Sequence, residues 1–402
     1  MRIIYLHQYF NTPSMHGSTR SYEMARRLVE RGHSVVMVTS WREPRESRDW
    51  FVTDEDGIEV HWLPVPYGNE MSYRQRIQAF FRFAIGAGRR AAGLSGDVVF
   101  ATSTPLTIAL PGVWAARRGK RPMVFEVRDL WPEMPIAIGA IRNPLAIWAG
   151  RKLERFAYRN SSRIVALSPG MADGVAETGY PRDQIRVIPN SCDLELFSPD
   201  SAVGESFHRE HPELGSGPIV LYAGTMGRIN GVEYMTELAA ATEKLVPSAC
   251  FVVLGSGSER ERVRARAREL GVLDRNFIIL PQLPKAQVVS AFAAASMVSS
   301  WFVDIPEMEK NSANKFFDGL AAGRAIVINY GGWQADILRD TDTGLALSRD
   351  VTVAARQISD WLKDPARLED VGRRARALGE ARFSRQKLAA ELEQLLLDVV
   401  DD

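Results

Sequence analysis

Residues 1–40, MRIIYLHQYFNTPSMHGSTRSYEMARRLVERGHSVVMVTS, contain one complete strand–helix–strand unit. Arg2 to Leu6 is an apolar run with the look of a strand buried on both faces. Across residues 18–31, Tyr22, Ala25, Leu28 and Val29 fall on one helical face, and Gly32 stands just past the end. Ser34 to Thr39 reads as the second strand. Two buried strands joined through a helix predict neighbours in a parallel sheet.

The same alternation continues outward. Strands are expected at residues 58–63, 98–101, 123–127, 163–167 and 185–188, with helices in several of the gaps. The turn-rich Pro189-Asn190-Ser191-Cys192-Asp193 follows, then a loose segment at 198–217. A second series begins there, with strands at 219–223, 250–254, 277–280, 297–301 and 325–329. This predicts an α/β chain of two doubly wound, Rossmann-like domains facing across a cleft, 1–195 and 196–382. The amphipathic stretch at 385–399 predicts a last helix, with 383–402 packing back on the first domain. Ligands of open parallel sheets sit beyond the carboxyl ends of the strands, so the site is expected there.

Composition narrows the function. With 402 residues, 46% of them apolar and 25% charged, the chain can build two cores. A net charge of +1 argues against nucleic acid as the main partner. Cys192 and Cys250 are the only cysteines and form no metal-ligand spacing, so disulfides and structural zinc are not expected. The start enters a strand directly, without the features of a secretory signal, and no run approaches the roughly 18 apolar residues of a spanning helix. A soluble chain in the reducing cytoplasm is expected.

The most informative motif is Asn311-Ser312-Ala313-Asn314-Lys315-Phe316-Phe317-Asp318-Gly319-Leu320-Ala321-Ala322-Gly323, between a strand and a helix. A helix N-terminus offers free N–H groups and a positive dipole end to a phosphate. Ser312, Asn314 and Lys315 add donors and a full charge, and Asp318 stands one turn on, where a carboxylate can hold two vicinal ribose hydroxyls. The alternative is a capped helix with Lys and Asp on its wet face.

With these residues in view, the chain resembles the retaining GT-B glycosyltransferases of family 4, in particular those building bacterial surface polysaccharides, including N-acetylfucosaminyl transferases. The resemblance covers nearly the whole chain. It rests on Gly17, on Gly32-His33-Ser34-Val35, Val127-Arg128-Asp129-Leu130-Trp131-Pro132, Ser168-Pro169-Gly170-Met171, Val187-Ile188-Pro189-Asn190 and Gly255-Ser256-Gly257, and on the 311–323 motif. It implies transfer from a nucleotide sugar, with UDP as the expected carrier, to a polyprenyl-diphosphate-linked acceptor. The products would be O-antigen, capsule or exopolysaccharide, and no cofactor or metal is implied. The first domain would take the acceptor and the second the donor.

Several positions depart from the family pattern. Asp318 matches the second of two glutamates found in many relatives, but Lys310 stands at the first, leaving Glu307 or Glu309 for contact with the donor sugar. The Arg and Lys that bind the diphosphate in relatives correspond to Thr225 and Asn230, in Gly224-Thr225-Met226-Gly227-Arg228-Ile229-Asn230-Gly231. Two negative charges leaving in a dry site need compensation, which is assigned to Arg228 and Lys315. Arg228 as a solvated turn residue is the bland alternative. Gly17, Gly224, Gly227, Gly255, Ser256 and Gly257 are expected to let the donor approach the backbone. None of these stretches completes GxGxxG, which disfavours a nicotinamide enzyme.

On the acceptor side, relatives often carry His where Arg128 stands. Asp129 and Glu133 are then the candidates to orient or deprotonate the acceptor hydroxyl. The alternative is that Asp129 caps the next segment and pairs with Arg128. His16, Ser18 and Arg128 are expected near the acceptor. His7 could face the site, and His33 simply enters a strand.

Between Met71 and Leu94 lie Arg74, Arg76, Arg82, Arg89 and Arg90, no acidic residue, and Phe80, Phe81, Phe83 and Ile85. This suits peripheral attachment to an anionic membrane surface, or else a helix packing its phenylalanines into the core. Residues 142–159, with Trp148 and Phe156, could extend the basic face. Two rival readings of the chain are a nucleotide-sugar epimerase or hydrolase of the same architecture and a catalytically silent sugar-nucleotide-binding protein.

Overall fold

In strand β1 (Arg2–Leu6), Ile3 and Tyr5 enter one apolar core while Ile4 and Leu6 enter another. That alternation is what a strand covered on both faces requires. The computed structural model describes every residue apart from 16, 44, 69–70, 198–200 and 284. It divides the chain into two compact units, Met1–Pro189 with Gln386–Asp402, and Asn190–Arg385.

In the first unit β1 is followed by α1 (Arg20–Glu30), β2 (Ser34–Trp41), β3 (Phe51–Glu55), β4 (Ile58–Pro64), α2 (Tyr73–Ala92) and β5 (Val98–Thr102). Then come α3 (Ala109–Gly119), β6 (Met123–Val127), α4 (Glu133–Ala137), α5 (Pro144–Arg159), β7 (Arg163–Ala166), α6 (Pro169–Glu177) and β8 (Ile185–Val187). The sheet runs β3-β4-β2-β1-β5-β6-β7-β8 and is parallel except for β3. Strand order reverses between β1 and β5, which fixes the switch point of this unit there.

Strand β3 corrects the sequence reading, which expects no strand between residues 39 and 58. Asp54 and Glu55 lie on β3, and Asp56 and Gly57, at φ +54° and +81°, make the turn into β4. Asp-Gly between two strands is the usual chemistry of a two-residue hairpin.

The second unit contains α7 (Ser201–Glu210), β9 (Ile219–Ala223), α8 (Glu233–Glu243), β10 (Cys250–Leu254), α9 (Arg260–Glu269), β11 (Phe277–Leu280) and α10 (Lys285–Ala294). It continues with β12 (Met297–Ser300), α11 (Asn314–Ala321), β13 (Ala325–Ile328), α12 (Trp333–Thr341), β14 (Gly344–Ala346), α13 (Val351–Leu362) and α14 (Pro365–Arg382). Its sheet, β11-β10-β9-β12-β13-β14, is wholly parallel and reverses between β9 and β12.

The last helix, α15 (Arg385–Asp401), belongs almost entirely to the first unit. Leu388, Leu392, Leu395, Leu396 and Val399 enter the core that holds Ile3, Tyr5, Met37 and Leu28. Glu393 on this helix accepts from Arg31 Nε at 2.5 Å and lies 2.7 Å from His33 Nε2. His33 therefore does more than enter a strand: it helps dock the C-terminal helix.

Candidate active site

In the second unit, the loops after β9 and β10 and the entry to α11 gather beside the switch point. The two loops lie against each other, Gly224 N–H donating to Leu254 O at 2.9 Å and Met226 N–H to Ser256 O at 2.8 Å. Gly257, at φ +151°, lies so close that a Cβ there would stand 2.3 Å from Met226 O. A side chain cannot fit, so the glycine permits this backbone packing. At Gly224, at φ +150°, a Cβ would meet Lys315 Cε at 2.5 Å. The Lys315 stem thus lies across the bare backbone that begins the β9 loop, and its Nζ sits 4.8 Å from the centre of the Tyr222 ring. Burial lowers the Lys315 pKa from 10.5 to about 8, partly opposed by the Asp318 carboxylate one turn on.

Gly224, Gly255, Ser256, Gly257 and Lys315 meet at these loops, while Ser256 Oγ donates to Gln282 at 2.6 Å. The Asp318 charge, further along α11, acts on Lys315 and on the buried Cys192 thiol. Arg228 opens a short 3-10 turn, Arg228–Asn230, and is exposed. Asn230 is committed to that turn, its Oδ1 accepting from Gly227 N–H at 3.2 Å.

Ser312 stands apart from its expected use. It is buried, its Oγ accepts from Asn190 N–H at 3.2 Å, and its carbonyl accepts from Asn190 Nδ2 at 2.6 Å. Helix α11 begins at Asn314 after Ala313 and has no side-chain cap, which corrects the picture of a capped helix. The first N–H groups of α11 therefore have no side-chain acceptor of their own. Asn314 is exposed at that end. Glu309 packs its carbonyl and Cβ against Gly332, and Glu307 lies on the same short turn, Pro306–Lys310.

In the first unit a 270 Å³ cavity opens at the carboxyl ends of the sheet strands. His7, Tyr9, Asn11, Gly17 and Ser18 come from the loop after β1, Arg42 follows β2, Tyr67 follows β4, Thr104 follows β5 and Arg128 follows β6. Arg128 Nη2 donates to Ser18 Oγ at 3.2 Å, and its Nη1 lies 3.4 Å from His7 Nε2. Burial, then the charges of Arg128 and Arg42, hold the His7 pKa well below its ordinary value, so the ring is neutral. Asn11 ties the loop together, its Nδ2 donating to the carbonyls of Tyr9 and Ser18 at 3.2 Å, while its Oδ1 accepts from Arg42.

Asp129 follows Arg128, and burial pushes its carboxyl up to about 6 against the pull of the Arg128 charge. It does not cap α4, whose N-cap is Pro132, and Arg128 turns to Ser18 and His7 and makes no ion pair with Asp129. Glu133 turns away from the cavity to α5, where Arg151 Nε stands 3.7 Å off. His16 lies outside the described residues. Sequence reasoning missed Arg42, Asn11, Tyr67 and, in the second unit, Tyr222.

Beneath this cavity runs a buried ion pair. Arg20 Nε and Nη2 donate to Glu126 Oε1 at 3.1 and 2.8 Å, and its Nη1 and Nη2 donate to the carbonyls of Pro189 and Ile188 at 2.5 and 2.9 Å. Glu126 also accepts from the Thr102 hydroxyl.

Helix α2 packs one apolar face into the core and leaves three apolar side chains outside it. Phe83, Ala79, Ala84, Ala87 and Ala91 are buried, whereas Ile77, Phe81 and Ile85 form an exposed stripe at a four-residue spacing. Arg76 and Arg90 serve the fold, donating to Met71 O and His61 Nδ1, while Arg74, Arg82 and Arg89 are exposed. On α5, Leu145 and Trp148 are 72% and 59% exposed. Among the described residues no helix is long and apolar enough to cross a membrane.

Two doubly wound sheets, the second with glycine loops at its switch point, define a class that comparison makes specific. Residues 17–191 match the family model described as a glycosyl transferase 4-like domain, and residues 204–378 match the glycosyl transferases group 1 model. The chain belongs to the GT-B glycosyltransferases of family 4 and is a glycosyltransferase. It is 24% identical over 390 residues to a D-inositol 3-phosphate glycosyltransferase of Xylanimonas cellulosilytica, covering 94% of this chain and 89% of that one. It is 22% identical over 279 residues to the putative colanic acid biosynthesis glycosyl transferase WcaI of Escherichia coli, covering 64% of this chain and 66% of WcaI. Among solved structures it resembles Anabaena Alr3699/HepE, crystallised with UDP and glucose, at a TM-score of 0.73 and 14% identity, over 99% of this chain and 100% of that one.

Proposed function

We propose that this glycosyltransferase moves a sugar with retention of configuration from a UDP-sugar to a lipid-linked sugar acceptor in bacterial surface-polysaccharide assembly. The observation that carries the donor side is Lys315, laid across Gly224 where the β9 and β10 loops meet. Its ammonium and the exposed Arg228 offset the charge of the departing diphosphate, with no metal in that role. The open N-terminus of α11 adds backbone donors, and Asp318 holds the ribose hydroxyls. The first unit presents the acceptor beside Ser18, Arg128 and Asp129. Asp129, with its carboxyl at about 6, is still a carboxylate at neutral pH and a stronger base than an ordinary aspartate. A leaving phosphate oxygen is the other base within the reaction itself.

The exposed Ile77, Phe81 and Ile85, flanked by Arg74, Arg82 and Arg89, suit peripheral attachment to an anionic cytoplasmic membrane surface where a polyprenyl-diphosphate acceptor would reside. The colanic acid relative supports the polysaccharide reading, and the UDP-bound fold neighbour supports the donor. The test is calorimetric titration with UDP on wild type and Lys315→Ala, followed by UDP release from UDP-sugars with and without acceptor. UDP binding lost in Lys315→Ala and UDP release that depends on acceptor are expected. Full turnover by Lys315→Ala sinks the assignment, and equal UDP release without acceptor points to a hydrolase.

A further inference from the structure

The cavity at the strand ends of the first unit carries more positive charge than a neutral sugar hydroxyl would need. Arg42 and Arg128 reach it from the ends of two different strands, and among the described residues no carboxylate lines it. Neither guanidinium has an ion-pair partner among the described residues. The nearest buried carboxylate of β6, Glu126, is committed to Arg20 at 2.8 Å. Asp129, adjacent to Arg128 in the chain, does not line the cavity. Both arginine charges act on His7, which is 2% exposed, and its Nδ1 has no hydrogen-bond partner among the described residues. The ring is buried between two cations and is not one itself. Asn11 holds the Arg42 fork in place, and Tyr9 lies against it, 5.9 Å from ring centre to guanidinium carbon. A pre-oriented pair of guanidinium groups that no described carboxylate bonds directly can take an anion between its two arms.

We propose that this pocket binds a phosphoryl group on the acceptor, with Arg42 and Arg128 as its two arms. The diphosphate of a polyprenyl-linked acceptor carries one negative charge on each phosphate, which matches two arginines, whereas one carboxylate would leave an arginine unmatched. The 270 Å³ volume suits a monosaccharide-sized group, just below the roughly 300–1,000 Å³ of drug-sized pockets. This deepens the proposed function and rests on the first unit taking the acceptor. The same chemistry could come from the donor diphosphate, and the test separates the two sources.

Inorganic phosphate is titrated, followed by 31P line broadening, into the full chain with saturating UDP, for wild type, Arg42→Gln and Arg42→Lys. UDP affinity is measured on all three. Saturable phosphate binding in wild type is expected, weakened at least tenfold in Arg42→Gln and less in Arg42→Lys, with UDP affinity unchanged within twofold. Retained UDP binding also shows that each variant is folded, and Arg42→Lys serves if Arg42→Gln does not fold. Unchanged phosphate affinity in the folded variant overturns the site. A parallel loss of UDP affinity in folded protein gives the pocket to the donor and overturns the acceptor assignment. If UDP fails to bind wild type, the donor reading falls, and the phosphate titration without UDP still judges the pocket.

Discussion

Replacing Arg20 with Leu should strip Glu126 of its counter-ion inside the first unit, and the size of the effect can be worked from the contacts. Burial alone would raise the Glu126 pKa, but the Arg20 and Arg128 charges override it and hold the carboxyl below its ordinary value. In Arg20→Leu the cheapest relief is proton uptake. From an ordinary value of 4.5 this costs about 3.4 kcal/mol at pH 7, at about 1.36 kcal/mol per unit. The carbonyls of Ile188 and Pro189 lose their donors as well, so a total of about 3–5 kcal/mol is expected, the range for breaking a buried pair from one side. The sign with pH follows from the reversal of the shift. In wild type a depressed carboxyl stabilises the fold at and above its unfolded pKa and gives this up only as pH falls through the folded value. In the variant the folded carboxyl is raised, so falling pH favours folding. At pH 5.5 neutralisation costs only about 1.4 kcal/mol, so the destabilisation should shrink by about 2 kcal/mol. Urea unfolding by tryptophan fluorescence at both pH values, with Arg20→Leu/Glu126→Gln as the neutral control, reads this directly. A loss below about 1 kcal/mol at pH 7, or one independent of pH, refutes the reasoning.

Three further outcomes are expected. UDP affinity should weaken about fivefold between pH 8 and pH 9, as the Lys315 ammonium, with its pKa lowered to about 8, gives up its proton; calorimetry on Lys315→Arg, which keeps its charge, should show a flat profile, and a sloping one would place the titration elsewhere. Leu396→Ala removes a fully buried side chain of α15 and should cost about 2–5 kcal/mol in urea unfolding, whereas a cost under about 1 kcal/mol would mean that the helix hardly supports the first unit. Phe81→Ser with Ile85→Ser should lower co-sedimentation with phosphatidylglycerol vesicles several-fold and leave UDP binding intact; unchanged co-sedimentation would remove α2 from the membrane reading.

Most strands of both sheets were legible because parallel strands covered on both faces are nearly continuous apolar runs, as in Phe251–Leu254, whereas β14, three residues at the sheet edge and only partly buried, was not. Strand β3 escaped because it is an edge strand, half-exposed and acidic, and its one clear signal was the Asp56-Gly57 turn. On the donor side, Gly224, Gly257 and Lys315 were legible as a pattern, but the packing of Lys315 over Tyr222 depends on a register no local pattern encodes. Ser312 illustrates the opposite error. A serine before a helix suggests a cap, yet tertiary structure gives its oxygen to Asn190, more than a hundred residues earlier. Arg42 carried a signal in its position just past the parallel strand β2, where polar residues reach ligands at the carboxyl edge of an open sheet.

The return of α15 to the first unit sets the order in which the chain can be completed on the ribosome. Core residues from Leu388 to Val399 emerge only after Asn190–Arg385, about 200 residues, have been made. At about 5–20 residues per second that is a wait of roughly 10–40 s, during which Ile3, Tyr5 and Leu28 lack part of their cover. The second unit can close while the first is still unfinished, so the unit that is begun earlier is the one completed later.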